Sequence, residues 1–311
     1  MIATLNEEIA VAFALPLLAV VAQTTLSVRS RLHTYAKARC VLRISSMIMA
    51  EEEATDEEMR ALRLRFPLAV ILDAVIFISE HIYGNALNRL ALIVEVCEVD
   101  YYLLGRIRRR QGRKKAFLLS KLSRLTHVTT IIERAEEHLE HKRQDVRFYA
   151  TAALVAARPE RAIKYVVRLD NTLSWYQVAI LTQLMRSVGA PIAYTPMLAS
   201  QNRNLQLIGI YLSEHFSIVD AEPYLQQLVE SEDEEVSYLS LLSLCSIRGD
   251  ISTTHVGVAL ARLSPSLRDA FLRHAVQACY SLRSCAHHLS CRECDIFSQR
   301  ITSYKSQIRC N

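Results

Sequence analysis

Apolar residues recur at helical spacing along the second half of the chain, and the stripes they form recur in turn. Stripes open at Val146, Tyr176, Leu205, Val236 and Leu267, at intervals of 30, 29, 31 and 31 residues. In the first of them Val146, Ala150, Ala153 and Leu154 fall at i, i+4, i+7 and i+8, one face of an α-helix. A shorter helix is predicted after each stripe. Arg161–Arg168 follows Arg158-Pro159-Glu160, with the proline suited to a first turn. Tyr194–Ala199 follows Gly189-Ala190-Pro191, Ala221–Val229 carries Pro223 in its first turn, and Thr254–Leu263 follows Gly249-Asp250. The small residues Ala150, Gly209 and Ser240 occupy the fifth position of their stripes, where little bulk lets a paired helix come close. One helix pair cannot bury its apolar face alone, so a fixed period of about 30 residues predicts stacked pairs, an α-solenoid. A non-repetitive helical bundle is the competing arrangement. No segment alternates in the manner of a strand, and Gly and Pro number 7 each, as a helical chain requires.

The pattern weakens toward the N-terminus. Gly112–Leu125 with Thr129–His141 reads as one earlier unit. Asp56–Leu64, Pro67–Ile82, Asn85–Val96 and Tyr101–Arg110 read as degenerate helices across 56–110. The Val-Arg-x-x-Ala-x-x-Ala-Leu run at Val146–Leu154 resembles the first-helix pattern of the HEAT-repeat family, in particular its short bacterial type. The other stripes match by hydrophobic position and length, and Arg147 has no counterpart in most of them. The resemblance covers residues 113–283. It implies an all-α fold, a right-handed α-solenoid of stacked antiparallel helix pairs, over 56–311, with a cysteine-rich terminal segment at 284–311. It also implies a protein-interaction or scaffolding role and brings no catalytic residues.

Ahead of the solenoid, Ile9–Ala22 is uninterrupted apolar sequence, and Gln23–Val28 extends it weakly. Ile9–Val28 is about 20 residues, enough to cross about 30 Å of hydrocarbon as a helix. Glu7 and Glu8 precede it, while Arg29, Arg31, Lys37, Arg39 and Arg43 follow. Residues 1–28 are therefore expected to form a single transmembrane helix with the N-terminus outside and the solenoid in the cytoplasm of a bacterial inner membrane. A cleaved signal peptide ending near Val20-Val21-Ala22, and a buried first helix, are the other two readings. Residues 29–55 read as a juxtamembrane connector, or as a helix continuing through Leu32–Met49. The acidic stretch Glu51–Glu53 with Asp56–Glu58 reads as linker and helix first turn, where carboxylates suit the dipole.

Net charge is only +5, so composition alone does not point to nucleic acid. Its distribution says more. Between Arg106 and Lys115 there are seven cations in ten positions: Arg106, Arg108, Arg109, Arg110, Arg113, Lys114 and Lys115. That density suits an acidic protein face, anionic lipid or phosphate. Part of it is also explained by cations complementing the C-terminal dipole of Tyr101–Arg110. No aromatic residues are interleaved, which disfavours single-stranded nucleic acid. Trp175, the lone tryptophan, stands at a unit junction beside Tyr176 and is expected to pack between units.

Five of the eight cysteines follow position 278. Cys291 and Cys294 have the C-x-x-C spacing of a zinc pair, and Cys285, His287 or His288 would complete a tetrahedral set. The spacing is irregular, and no second C-x-x-C accompanies it. The same residues also read as small side chains of a terminal capping unit. Thiols without regular extracellular spacing suit a reducing compartment. No Gly-rich phosphate loop, G-x-S-x-G or H-E-x-x-H is present. The sequence thus predicts a non-catalytic, membrane-anchored scaffold that binds a protein partner, for which a membrane protein is a natural candidate. The alternatives are a nucleic-acid-binding HEAT-like protein using 106–115, and a metal-binding regulator using the C-terminal cysteines.

Overall fold

The computed structural model describes residues 30–50, 52, 54–82, 84–125, 134–187, 193–248 and 254–277. These residues are helical, with turns and no strand among them. The all-α expectation stands, but the expected transmembrane helix finds no support. No helix among the described residues is long and apolar enough to cross a membrane. Residues 9–28, on which that expectation rested, lie outside the described residues. The chain divides into two compact units, Met1–Ala153 and Leu154–Asn311.

In the first unit, residues 30–49 form helix α1, and Cys40, Ile44, Met47 and Ile48 on one of its faces are buried. α2 (Asp56–Arg65) starts at a capping box. The Thr55 side chain accepts from the Glu58 N–H, and the Glu58 carboxylate accepts from the Thr55 N–H at 3.1 Å. Its first turn is acidic and its last turn carries Arg63 and Arg65, both favourable to the helix dipole. α3 (Leu68–Ser79) is apolar nearly all round and buries Val70, Ile71, Leu72, Ala74, Val75, Ile76 and Ile78. Such a helix belongs inside, and it packs against α2, α4 (Asn85–Val96) and α5 (Val99–Arg109). Glu98 takes φ 54 to turn the chain between α4 and α5, and its carboxylate reaches Arg63 of α2. α6 (Gly112–Leu122) packs on α5 and is tied to α3 through Lys121–Asp73. Arg124, just past its end, pairs with Glu80. Arg89 donates to the Ile48 carbonyl at 2.9 Å and so holds the end of α1.

α7 (Gln144–Ala157) spans the division between the units. In the second unit a 3-10 turn, Pro159–Arg161, leads into α8 (Ala162–Val166). There follow α9 (Trp175–Ser187), α10 (Tyr194–Leu198) and α11 (Arg203–His215). After them come α12 (Glu222–Val229), α13 (Glu234–Arg248), α14 (Thr254–Arg262) and α15 (Pro265–Gln277). The longer helices α9, α11, α13 and α15 pack side by side in one layer, and the shorter α10, α12 and α14 line up behind them in a second. The long helices α11, α13 and α15 begin two residues ahead of the apolar stripes at Leu205, Val236 and Leu267. Capping explains the offset at two of them. The Asn202 side chain accepts from the Leu205 N–H, and Asp233 Oδ1 accepts from the Glu235 and Val236 N–H groups.

Close approach between the layers depends on the small fifth positions. Ala150 and Ser240 are fully buried. A Cβ added at Gly209 would lie 3.0 Å from Leu198 Cδ2 and 3.2 Å from the Leu198 backbone nitrogen. The second-layer helix therefore sits against the glycine backbone itself. Behind α13, Leu241 and Cys245 pack with Ala259, Leu260 and Leu263 of the α14 region and Phe271, Leu272 and Ala275 of α15. Full burial of each large side chain there contributes about 1.5–3 kcal/mol.

Polar side chains fasten successive pairs. Buried Asn204 accepts from the Leu173 N–H at 2.9 Å and donates to the Asn171 carbonyl at 2.9 Å, bridging the loop before α9 and the start of α11. The Ser237 hydroxyl donates to the Val229 carbonyl at 2.6 Å. The Glu234 carboxylate accepts from the Ser264 N–H. These satisfy backbone groups that the loops between helices would otherwise bury unpaired.

Candidate functional site: a basic turn

The predicted basic run folds as the end of α5, a two-residue turn at Arg110 and Gln111, and the start of α6. Gly112 takes φ +56, a conformation that suits glycine, and so lets the chain reverse directly into α6. The run splits into two halves with opposite electrostatic settings. Arg106, Arg108 and Arg109 lie in the last turn of α5, where cations favour the helix dipole. Arg113, Lys114 and Lys115 lie in the first turn of α6, where cations oppose it, and Gln111 offers no side-chain cap. Folding stability accounts for the first trio and not for the second.

Counter-ions are missing as well. Arg108, Arg109, Arg110, Arg113 and Lys114 are exposed, and none of the seven cations forms an ion pair among the described residues. Arg106 is occupied differently: it donates to the Tyr102 hydroxyl at 3.2 Å and stacks over that ring.

The fold adds residues that the linear run does not include. The Arg143 guanidinium lies about 4 Å from where a Gly112 Cβ would be, so it stands against the turn. It is held by Asp145 in a two-pronged pair, at 3.1 and 2.9 Å. Burial and the Lys115 ammonium both lower the pKa of His138, and the same causes act on His141. His141 Nδ1 accepts from the Arg143 N–H at 3.1 Å, and its ring meets His138 edge-on at 6.3 Å. Both imidazoles are thus biased to neutrality, first by burial and then by the cations beside them. The signal in the sequence was the density of His and Arg between His138 and Arg147, which carries no helical stripe of its own.

The proposed zinc set, Cys285, His287, His288, Cys291 and Cys294, lies outside the described residues. Among the described residues no cluster of three or more His, Cys, Asp or Glu side chains could hold a metal ion. Cys40 and Cys97 are buried free thiols, pushed up to about 12 and about 11, first by burial, which makes them poor nucleophiles.

Trp175 corrects the sequence expectation. It is 62% exposed rather than packed between units, and so is Tyr176 at 62%. As the first residue of α9 it precedes the buried stripe of Val178, Leu181 and Met185. No protein-family model matches the chain, and no curated protein or solved structure is similar to it, so the likeness to HEAT repeats rests on the residues of this chain alone.

Proposed function

We propose that this protein is a non-catalytic interaction protein that binds an acidic protein partner through the basic turn Arg106–Lys115. The observation that carries this reading is the first turn of α6. Three cations stand there against the dipole, without an ion pair among the described residues, at a cost of about 0.3–1 kcal/mol each. Residues retained against stability are characteristic of a binding surface. An acidic face would supply the missing carboxylates and steer association over a Debye length of about 8–10 Å.

This dissociates stability from function in a way that can be measured. The double reversal Arg113→Glu/Lys114→Glu puts acids where the dipole favours them, so the variant is expected to melt at the same temperature or higher. Crosslinking in intact cells followed by mass spectrometry is expected to recover a partner with the parent chain and lose it with this variant. Recovery of the same partners with both would end the proposal. A purified protein that retains duplex DNA, with affinity falling steeply as salt rises, would instead favour the nucleic-acid reading of the same turn.

A further inference from the structure

Helix α1 carries two apolar faces, and the fold uses one. Toward the rest of its unit it buries Cys40, Ile44, Met47 and Ile48. On that side His33 Nε2 also lies 3.6 Å from the Asp73 carboxylate of α3, and Lys37 Nζ stands 4.9 Å over the Phe77 ring. On the other side Leu32, Tyr35, Leu42 and Met49 are 63–80% exposed. They follow one another at intervals of three, seven and seven residues, which returns each to within about 60° of the last around a helix. At a rise of about 1.5 Å per residue the stripe runs about 26 Å along α1. Single exposed apolar residues are ordinary, but large ones aligned on one helix form a patch.

The charge beside this stripe is of one sign. Arg31, Arg39 and Arg43 are exposed, and none of them forms an ion pair among the described residues. From Ser30 to Ala50 the chain holds no Asp or Glu, and acids return only at Glu51, past the helix end. Arg39 stands one turn after Tyr35, with its guanidinium 5.9 Å from the centre of that ring. This combination decides between occupants. A second copy is disfavoured, because an isologous contact would press the arginines of one α1 against those of the other. A rigid protein partner would meet only the tips of side chains that project so far, whereas acyl chains close around each one. An anionic bilayer surface also supplies counter-charge, as lipid phosphate and carboxylate. Tyr35 suits the headgroup level, with its ring inward and its hydroxyl in water. An arginine stem lies along apolar surface while its head reaches a phosphate.

We infer that the outer face of α1 is a docking surface for an anionic lipid bilayer, with Leu32, Tyr35, Leu42 and Met49 entering the boundary between headgroups and acyl chains and Arg31, Arg39 and Arg43 pairing with lipid phosphate. The helix lies along the interface and does not cross it, as an amphipathic helix does whose inner face is held by protein. The arginines on the outer face bar a deeper position. The assignment is independent of the basic turn: it uses none of the residues Arg106–Lys115, and it names a lipid where that turn takes a protein.

The test is cosedimentation of the full-length chain with vesicles of phosphatidylcholine, alone or mixed with phosphatidylserine. Binding is expected to be stronger to the mixed vesicles and to weaken as salt rises. Arg39→Gln/Arg43→Gln is expected to lose about 25-fold in affinity for them, about fivefold for each cation. Leu42→Ser/Met49→Ser is expected to weaken binding to both kinds of vesicle, by about tenfold. All four positions are exposed, so both variants are expected to fold and to melt as the parent does. Residues 9–28 are common to every chain compared, so the difference between parent and variant reads α1. Arg113→Glu/Lys114→Glu is expected to bind vesicles as the parent does. Equal binding by the parent and either α1 variant would overturn the assignment, as would no preference for the mixed vesicles. Loss of binding in the Arg113→Glu/Lys114→Glu chain alone would also overturn it and give the lipid to the basic turn. So would a dimer that Leu42→Ser/Met49→Ser disperses, or a crosslinked protein that this variant loses with vesicle binding intact.

Discussion

Arg109 and Arg203 show what two regions of one chain do with the same side chain. Arg109 is exposed at the end of α5, among cations and without a carboxylate partner among the described residues. Arg203 begins α11 with its side chain only 25% exposed, gripped by Asp233 and Glu235 from the start of the next long helix. Asp233 serves twice. Burial alone would raise its carboxyl, but the Val236 N–H and the Arg203 guanidinium hold it below the usual carboxylate value. Asp233, a charge used for folding, is thus partly desolvated, bracketed and placed to favour a helix end, and it holds Arg203 although that cation opposes the dipole at the start of α11. A charge left for others is exposed, unmatched and, in the first turn of α6, placed against the dipole. The contrast separates the architecture of the second unit from the surface chemistry of the first.

The hardest test of that separation is steric. Gly209→Val would drive a branched side chain into the Leu198 backbone and is expected to cost about 3 kcal/mol in urea unfolding. A midpoint unchanged within error would mean the layers are not held at glycine distance. Arg203→Ala comes next. Losing a charge-assisted partner from two carboxylates is expected to cost about 2 kcal/mol, against less than about 0.5 kcal/mol for Arg109→Ala. Equal losses in the two variants would erase the distinction drawn here.

A smaller effect, of opposite sign, is expected at Ser240, whose buried hydroxyl oxygen has no hydrogen-bond partner among the described residues. Ser240→Ala removes an unpaired polar atom while keeping the small volume, and should stabilise by up to about 1 kcal/mol. A clear loss in thermal unfolding would show that the hydroxyl is satisfied after all.

Glu214 sharpens the comparison through pH. Burial raises its carboxyl, and the charge of His274 acts in the opposite direction. A raised carboxyl means that the folded chain holds the proton more tightly than the unfolded one. Its contribution is therefore favourable at low pH and is lost as pH rises through the folded-state value. Glu214→Gln should raise the urea midpoint near neutral pH, and the gain should vanish by about pH 4, where the unfolded carboxyl is protonated too. A gain that persists unchanged at acid pH would place its cause elsewhere than in ionisation.

Much of the helical layout is legible in the sequence alone. The stripes at Leu205, Val236 and Leu267 mark three long helices, because a period of 3.6 is imposed by burial on one side and survives any particular packing. The missing two residues at each start were not legible from apolar spacing, since polar caps such as Asn202 and Asp233 carry no hydrophobic signal. The basic turn was visible as a run, but its functional half was not. Only the position of the α6 start, fixed by Gly112 at φ +56, shows that Arg113, Lys114 and Lys115 oppose the dipole. Trp175 was misjudged because an aromatic residue next to an apolar stripe reads as core, and the sequence does not tell on which side of the helix start it falls.

By itself, then, the sequence determined the elements: helices, their spacing, the small residues at Ala150, Gly209 and Ser240, and the density of charge between Arg106 and Lys115. These follow from local chemistry and periodicity, which act along the chain. The tertiary structure alone decided which charges are spent and which remain. Arg203 meets Asp233 and Glu235 about 30 residues away, and Asn204 of α11 meets Leu173 and Asn171 of the loop before α9. Such pairings depend on how one layer lies against its neighbour, and separation along the chain does not encode that distance.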